Sequence, residues 1–263
     1  MSKEINKITS TANSQVRRII NLKNKSSARR KEGVFLTEGI KMYKETPKNR
    51  IEAIYIEEKF SELYGKDIDE EYTIVSENVF KQISDTVSPQ GILTIVRQKE
   101  TAMESILKKD EKQLFILLEN LQDPGNLGTI IRTAEGAGVS AIIAGKSTVD
   151  IYNPKVIRST MGSVFRVPYI ITDDLKGEIN KLKENGVTIY GAHLNGRNYY
   201  DKENYNGSTA FIIGNEANGL TEEIALNADR LIKIPMCGNL ESLNASVAAA
   251  ILMYEASKKM GKI

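Results

Sequence analysis

Five short apolar runs mark the C-terminal part of the chain, at 114–118, 141–144, 187–192, 210–213 and 231–234. The first is continuous rather than alternating, which is the pattern of a strand buried on both faces. Stretches of helical character separate or follow them at 128–136, 155–162, 175–184, 221–226 and 245–259. Strands that alternate with helices in this way predict a parallel α/β sheet. The N-terminal part is built from shorter elements. Val16, Ile19 and Ile20 predict a helix over 13–22, followed by a basic loop or helix extension over 23–31. Strands are expected at 33–37, 51–56, 72–75 and 92–97. Glu38-Gly39 leads into a helix through Ile40 and Met42, Ser76 is placed to cap a helix through Phe80 and Ile83, and Ser88-Pro-Gln-Gly91 reads as a turn. The expected organisation is a small α/β domain over 1–98, a charged linker over 99–112 and a larger α/β domain over 113–263.

Charge is distributed unevenly along the chain. Residues 1–50 carry 13 Lys/Arg against 4 Asp/Glu, a net of +9, and the remainder carries 23 against 30, a net of −7. The excess is concentrated in Arg17, Arg18, Lys23, Lys25, Arg29, Arg30 and Lys31. Such a cluster suits a phosphate backbone, through charge neutralisation and counterion release, although a solvated helix face has the same composition. Arg17, Arg18, Arg29, Arg30 and Lys31 are the candidate RNA contacts. The single cysteine, Cys237, excludes an internal disulfide and fits a reducing compartment. No N-terminal apolar segment and no uncharged run of membrane-spanning length is present, so a cytoplasmic protein is expected, without a membrane partner. With one histidine, His193, and one cysteine, no metal site of the usual ligand types is expected.

One motif match misleads. Gly136-Ala-Gly138-Val-Ser-Ala141 fits the G-x-G-x-x-A dinucleotide fingerprint. That fingerprint must follow a strand and open a helix, whereas here it closes a helix and enters a strand, which is ordinary C-capping.

Three other stretches carry chemistry. Asn120-Leu-Gln-Asp-Pro-Gly-Asn126 follows the run at 114–118, with Arg132 six residues further on. Strand C-terminal ends are where open α/β sheets bind ligands. Asn126 reads either as a helix cap or as a site residue, and Arg132 either as a surface ion pair or as a side chain aimed at the same loop. Phe211-Ile-Ile-Gly-Asn-Glu-Ala-Asn-Gly-Leu220 ends a buried strand in a loop with two glycines, beside the carboxylate of Glu216. Ile234-Pro-Met-Cys-Gly-Asn-Leu-Glu-Ser-Leu-Asn244 leads a strand into the last helix, where Ser242 and Asn244 are caps or site residues.

Together, in order and over the whole of 114–259, these stretches resemble the three signature motifs of the SpoU (TrmH-type) family of RNA ribose 2′-O-methyltransferases, in the SPOUT superfamily. Phe35-Leu-Thr-Glu-Gly39 and Ser88-Pro-Gln-Gly91 are similar to the substrate-binding domain of its two-domain subgroup. The resemblance implies a C-terminal parallel-sheet α/β domain with a trefoil knot, a smaller N-terminal α/β RNA-binding domain, and a homodimer. The cofactor it implies is S-adenosylmethionine, and the RNA is ribosomal by analogy with the subgroup, with transfer RNA as the rival. It assigns Asn126, Arg132, Glu216, Ser242 and Asn244 to the catalytic centre, partly from the second protomer, and Gly214, Ile234, Met236 and Leu243 to the cofactor. Arg132 would activate the ribose hydroxyl, as a base or by stabilising a developing alkoxide, with Asn126 positioning it or the RNA and Glu216 available to orient it. Cys237 reads as a small packing residue, and His193 matches no signature. A non-catalytic RNA-binding protein of the same fold is the competing reading. Intact site residues speak against it.

Overall fold

The computed structural model describes residues 7–108, 110–194 and 196–263. They form two compact units. The first takes the described residues up to Lys99 together with Asp150–Phe165, and the second takes Glu100–Val149 and Arg166–Ile263.

The first unit contains β1 (Lys7–Ile8), α1 (Ser14–Asn24), α2 (Ser26–Glu32), β2 (Val34–Glu38), α3 (Ile40–Glu45), β3 (Ile51–Glu57), α4 (Glu58–Tyr64), β4 (Thr73–Val75), α5 (Glu77–Ile83) and β5 (Ile92–Arg97). Its sheet has the order β1-β4-β3-β5-β2, with β3 and β5 antiparallel and β3 and β4 parallel. Alternation along β3 and β5 serves two layers. Tyr55, Leu93 and Ile95 face α1 and α5, which bury Val16, Ile19, Leu22, Val79, Phe80 and Ile83, while Ile54, Ile56 and Ile92 face Tyr43 and Ile68. The basic stretch after α1 becomes a separate helix, because Lys25 turns extended (φ −121°, ψ 117°) before α2 begins. The helix α4 and the two-residue strand β1 are too short and too polar to stand out in the apolar pattern.

The expected single boundary is not how the compact units divide. Asp150–Phe165 contributes Tyr152, Ile157, Val164 and Phe165 to a cluster with Phe35, Met42 and Val96 of the first unit. The stretch expected as a linker gives Met103, Ile106 and Leu107 to the core of the second unit. The helix expected over 155–162 is present, but its apolar residues, like those of the expected linker, find partners distant along the chain.

The same segment corrects the reading of Arg29. Its side chain is 4% exposed, and its Nε and Nη2 donate to Asp150 Oδ2 at 2.9 and 2.6 Å. Nη1 donates to the Leu22 carbonyl at 2.6 Å. A guanidinium spent on these partners is not free to meet a phosphate.

The second unit holds β6 (Leu114–Leu118), α6 (Pro124–Gly136), β7 (Ala141–Gly145), β8 (Tyr169–Thr172), α8 (Leu175–Glu184), β9 (Thr188–Ala192), β10 (Asn198–Tyr199), β11 (Thr209–Ile213), α9 (Glu222–Leu226), β12 (Arg230–Lys233) and α10 (Ala245–Met260), while α7 (Pro154–Thr160) lies in the first. Its sheet runs β10-β12-β9-β11-β6-β7-β8 and every pair is parallel. All residues of β6 and β11 are buried, as their continuous apolar runs require. From β6 the chain builds outward through β7 to β8, and β11 returns to the opposite side of β6. Such a reversal opens a crevice at the strand C-terminal ends. Gly136-Ala-Gly138 ends α6 as a cap, with Gly138 at φ +67° and Val139 N–H donating to the Ala134 carbonyl at 2.9 Å.

Replacing Arg29 with Ala leaves Asp150 without its buried partner, and should cost about 3 kcal/mol in denaturant unfolding. Replacing the exposed Arg30 should leave the midpoint unchanged.

Candidate active site

Three loops meet at the C-terminal ends of β9, β11 and β12. They enclose a cavity of about 720 Å³, within the range of small-molecule sites. Ile213, Ile232, Leu243 and Leu252 supply apolar walls, and His193, Glu216, Glu241 and Ser242 add polar groups. Of the sequence-predicted residues, Gly214, Glu216, Ile234, Met236, Ser242 and Leu243 line this cavity. Asn126, Arg132 and Asn244 are not among its lining residues.

The loop after β11 folds back on itself. Asn215 and Gly219 exchange two backbone hydrogen bonds of 2.9 Å. A Cβ on Gly214 would overlap the Gly219 carbonyl, and Gly219 sits at φ +68°, so both positions require glycine.

A chain of side-chain hydrogen bonds ties the three signature stretches together. Asn244 Oδ1 caps α10, accepting from the Ser246 N–H at 2.9 Å. Its Nδ2 donates to Asn126 Oδ1 at 2.9 Å, and Asn126 Nδ2 donates to Glu216 Oε1 at 3.0 Å. Glu216 also accepts from the backbone N–H groups of Gln122 (3.0 Å) and Asp123 (2.8 Å). Asn244 is therefore both a cap and a member of the site. Burial pushes the Glu216 carboxyl upward, but the hydrogen bonds from Asn126, Asp123 and Gln122 outweigh it and hold it below the ordinary carboxylate value.

Two expectations change. Asn126 does not cap α6: Asp123 is the cap, Pro124 opens the helix, and Asn126 lies inside its first turn, 8% exposed. Within one chain Glu216 does not reach Arg132. Its oxygens are occupied by Asn126, Gln122 and Asp123, while Arg132 is exposed and makes no hydrogen bond or ion pair among the described residues. Six residues along a helix is about 1.7 turns, which leaves Arg132 roughly 120° around α6 from Asn126.

A residue absent from the sequence reading also shapes the site. Glu119, 6% exposed at the end of β6, accepts from Thr221 N–H (2.9 Å) and Thr221 Oγ1 (2.6 Å). Thr221 caps α9, so this carboxylate fixes the far end of the 214–220 loop. A charged residue directly after five buried apolar ones is the signal that could have flagged it.

On the first unit, Arg17, Arg30 and Lys31 are exposed. Arg18 is partly exposed and pairs with Glu32 and Glu52, both at 2.6 Å.

Residues 113–254 match the SpoU rRNA methylase family, and residues 13–94 match the MRM3-like substrate binding domain. The 23S rRNA (guanosine(2553)-2′-O)-methyltransferase RlmP of Bacillus subtilis is 36% identical over 181 residues, covering 69% of this chain and 70% of that protein. An AdoMet-bound rRNA methyltransferase from Sinorhizobium meliloti superimposes with a TM-score of 0.85 at 30% identity, over 97% of this chain and 98% of that one. The SpoU methyltransferase AviRb from Streptomyces viridochromogenes shares the fold, with a TM-score of 0.83 at 22% identity over 95% of this chain and 98% of that one. The chain belongs to the SpoU rRNA methylase family.

The cofactor of this SpoU methylase is S-adenosylmethionine, and the cavity fits it. Apolar side chains of β11, β12 and α10 suit a flat purine, backbone groups of Gly214 and Ile234–Met236 line the same cavity and could pair with it, and Glu216 and Glu241 suit a ligand that carries a sulfonium cation. Among the described residues no group of His, Cys, Asp and Glu could hold a metal ion, and no helix is long and apolar enough to cross a membrane.

Because the folded-state carboxyl of Glu216 lies below its ordinary value of 4.5, its contribution to stability is complete above that pH and is lost as pH falls through the lower folded value. Acid unfolding followed below pH 4.5 should be steeper for the wild type than for Glu216→Gln.

Proposed function

We propose that the protein transfers the methyl group of S-adenosylmethionine to a ribose 2′-hydroxyl of ribosomal RNA, as a cytoplasmic homodimer whose C-terminal unit carries the family's trefoil knot. The observation that carries this reading is the Asn244–Asn126–Glu216 chain, which joins all three signature motifs beside a cavity of cofactor size. The relative RlmP is named for methylation of 23S rRNA, and the substrate class is carried to this chain from it.

Bound S-adenosylmethionine supplies an electrophilic methyl group, so the protein's task is orientation and electrostatics. Gly214, Ile234, Met236 and Leu243, which line the cavity, would hold the purine and ribose end. Glu216 and Asn126 fix the loop after β6 against the loop after β11, which sets one side of the cavity. The ribose hydroxyl is a weak nucleophile until negative charge on its oxygen is stabilised. Arg132 is suited to that task and not to removing the proton, because guanidinium does not give one up near neutral pH. Its exposed position, away from its own chain's cavity, supports a shared centre in which each Arg132 serves the cavity of the second copy. Val247 and Tyr254, 46% and 47% exposed on α10 beside α6, offer apolar area for that contact. Arg17, Arg30 and Lys31 are assigned to phosphate contacts, and Arg18 to a lesser share because its charge is already paired.

Methyl transfer from labelled S-adenosylmethionine should place label in ribosomal RNA, and Arg132→Ala should abolish it with cofactor binding retained. Label confined to small RNA would move the substrate to transfer RNA. Mixing Arg132→Ala with an inactive cavity variant, Gly214→Val, should restore activity through hybrid dimers. No recovery, with hybrids shown to form, would place Arg132 in its own chain's centre.

Single Ala substitutions at Arg17, Arg30 and Lys31 should each lower RNA affinity across sequences, and reduce the slope of log affinity against log salt by about 0.9. Fluorescence anisotropy across a salt series measures both.

A further inference from the structure

The two N-terminal stretches that resemble the substrate-binding domain, Phe35–Gly39 and Ser88–Gly91, meet in the fold. Gly39 has φ +97°, and a Cβ there would overlap the side-chain amide of Gln90, which lies across it. Gly91, at φ +77°, is covered in turn by Phe60. The backbone beneath is fastened by Gly39 N–H to the Ile92 carbonyl and Glu57 N–H to the Gly91 carbonyl, both at 2.9 Å.

The loop that carries Gln90 is clamped at its base by charged side chains. Glu38 accepts from Ser84 Oγ (2.7 Å), Thr86 Oγ1 (2.7 Å) and Asp85 N–H (3.1 Å). Lys23 Nζ donates to the carbonyls of Gln82 (2.7 Å) and Ser84 (2.8 Å), and Arg158 pairs with Asp85. The tip is left unengaged. Val87 is fully exposed, and the Gln90 amide is exposed and has no hydrogen bond among the described residues. A single exposed valine needs no explanation. A free amide seated on a glycine that can carry no side chain, in a loop fixed by three charged groups, does.

We propose that Gln90 is a base-reading residue: its amide pairs with the edge of an unpaired nucleobase in the RNA substrate, and Val87 packs against the same nucleotide. The inference rests on the RNA-methyltransferase reading above. An amide offers one acceptor and two donors, which matches the mixed edges of bases, whereas phosphate oxygens only accept. The tip, 87–90, carries no cation, so it is not built for phosphate. Side chains cannot read the deep major groove of an RNA helix, and sequence is read on splayed single-stranded bases. Preorganisation of the loop lowers the entropy cost of such a contact.

The test uses the full chain and deproteinised large-subunit ribosomal RNA, with wild type, Gln90→Ala and Gln90→Glu. Both substitutions are at an exposed side chain, and an unchanged Tm confirms folding. Gln90→Ala should weaken RNA binding roughly fivefold or more, raise KM for RNA to match, and leave kcat, KM for S-adenosylmethionine and the salt slope unchanged. Gln90→Glu removes the donors and should lose at least as much. Unchanged affinity and KM in Gln90→Ala, with an active wild type, overturn the base-reading role alone. Weaker binding with a smaller salt slope also overturns it, in favour of a phosphate contact. A wild type that neither binds nor methylates the RNA removes the enzyme reading and this inference with it.

Discussion

The carboxylate of Glu216 is the constraint on which the catalytic unit depends. It sits in the loop after β11 yet spends both oxygens on the loop after β6, on two backbone N–H groups and one amide. Those N–H groups precede a helix and would otherwise need water or a ligand. Asn126, bonded on one side to Glu216, bonds on the other to Asn244, whose remaining oxygen caps α10. One ionised group therefore helps set the relative position of three stretches joined by contacts that span 94 residues (Gln122 to Glu216) and 118 residues (Asn126 to Asn244) of sequence. Hydrogen bonds to a charged acceptor are stronger than neutral ones, which suits a contact that fixes loops at a cofactor cavity.

The second carboxylate of this region works in parallel. Glu119 is buried at the end of β6 and holds the cap of α9, so the loop between Ile213 and Thr221 is fastened at both ends. Gly214 and Gly219 let it fold tightly between those fastenings. A buried carboxylate costs desolvation, which the two donors of Thr221 offset at Glu119, while the more exposed Glu216 is met by three donors. This part of the cavity wall is thus fastened by the protein's own hydrogen bonds, which suits catalysis by orientation.

The basic cluster of the first unit separates into two kinds of charge. Arg29 and, in part, Arg18 are structural: one joins α2 to Asp150 and the α1 terminus, the other bridges Glu32 and Glu52. Arg17, Arg30 and Lys31 remain on the surface. Composition counts all five alike, because it has no access to whether a carboxylate distant in sequence lies within reach of a given guanidinium.

The sequence by itself determined most of the strand and helix pattern, the parallel character of the second unit's sheet and the three loops that carry the chemistry, but not the short edge strands β8 and β10. Continuous apolar runs such as 114–118 and 210–213 are buried on both faces whatever surrounds them, and Gly, Pro and Asn mark the turns between them. The cavity residues Gly214, Glu216, Ile234, Met236, Ser242 and Leu243 were legible because each lies in a stretch that resembles a family signature motif. Only the tertiary structure decided which side chains touch. It turned Arg132 away from Asn126 through helix geometry, buried Arg29 against Asp150, drew Asp150–Phe165 into the first unit, and found the partner of Glu119 in Thr221. The physical reason is common to all four. Local propensity and periodicity are properties of neighbouring residues, whereas an ion pair or a packed segment depends on groups that the fold alone brings within a few ångströms of each other.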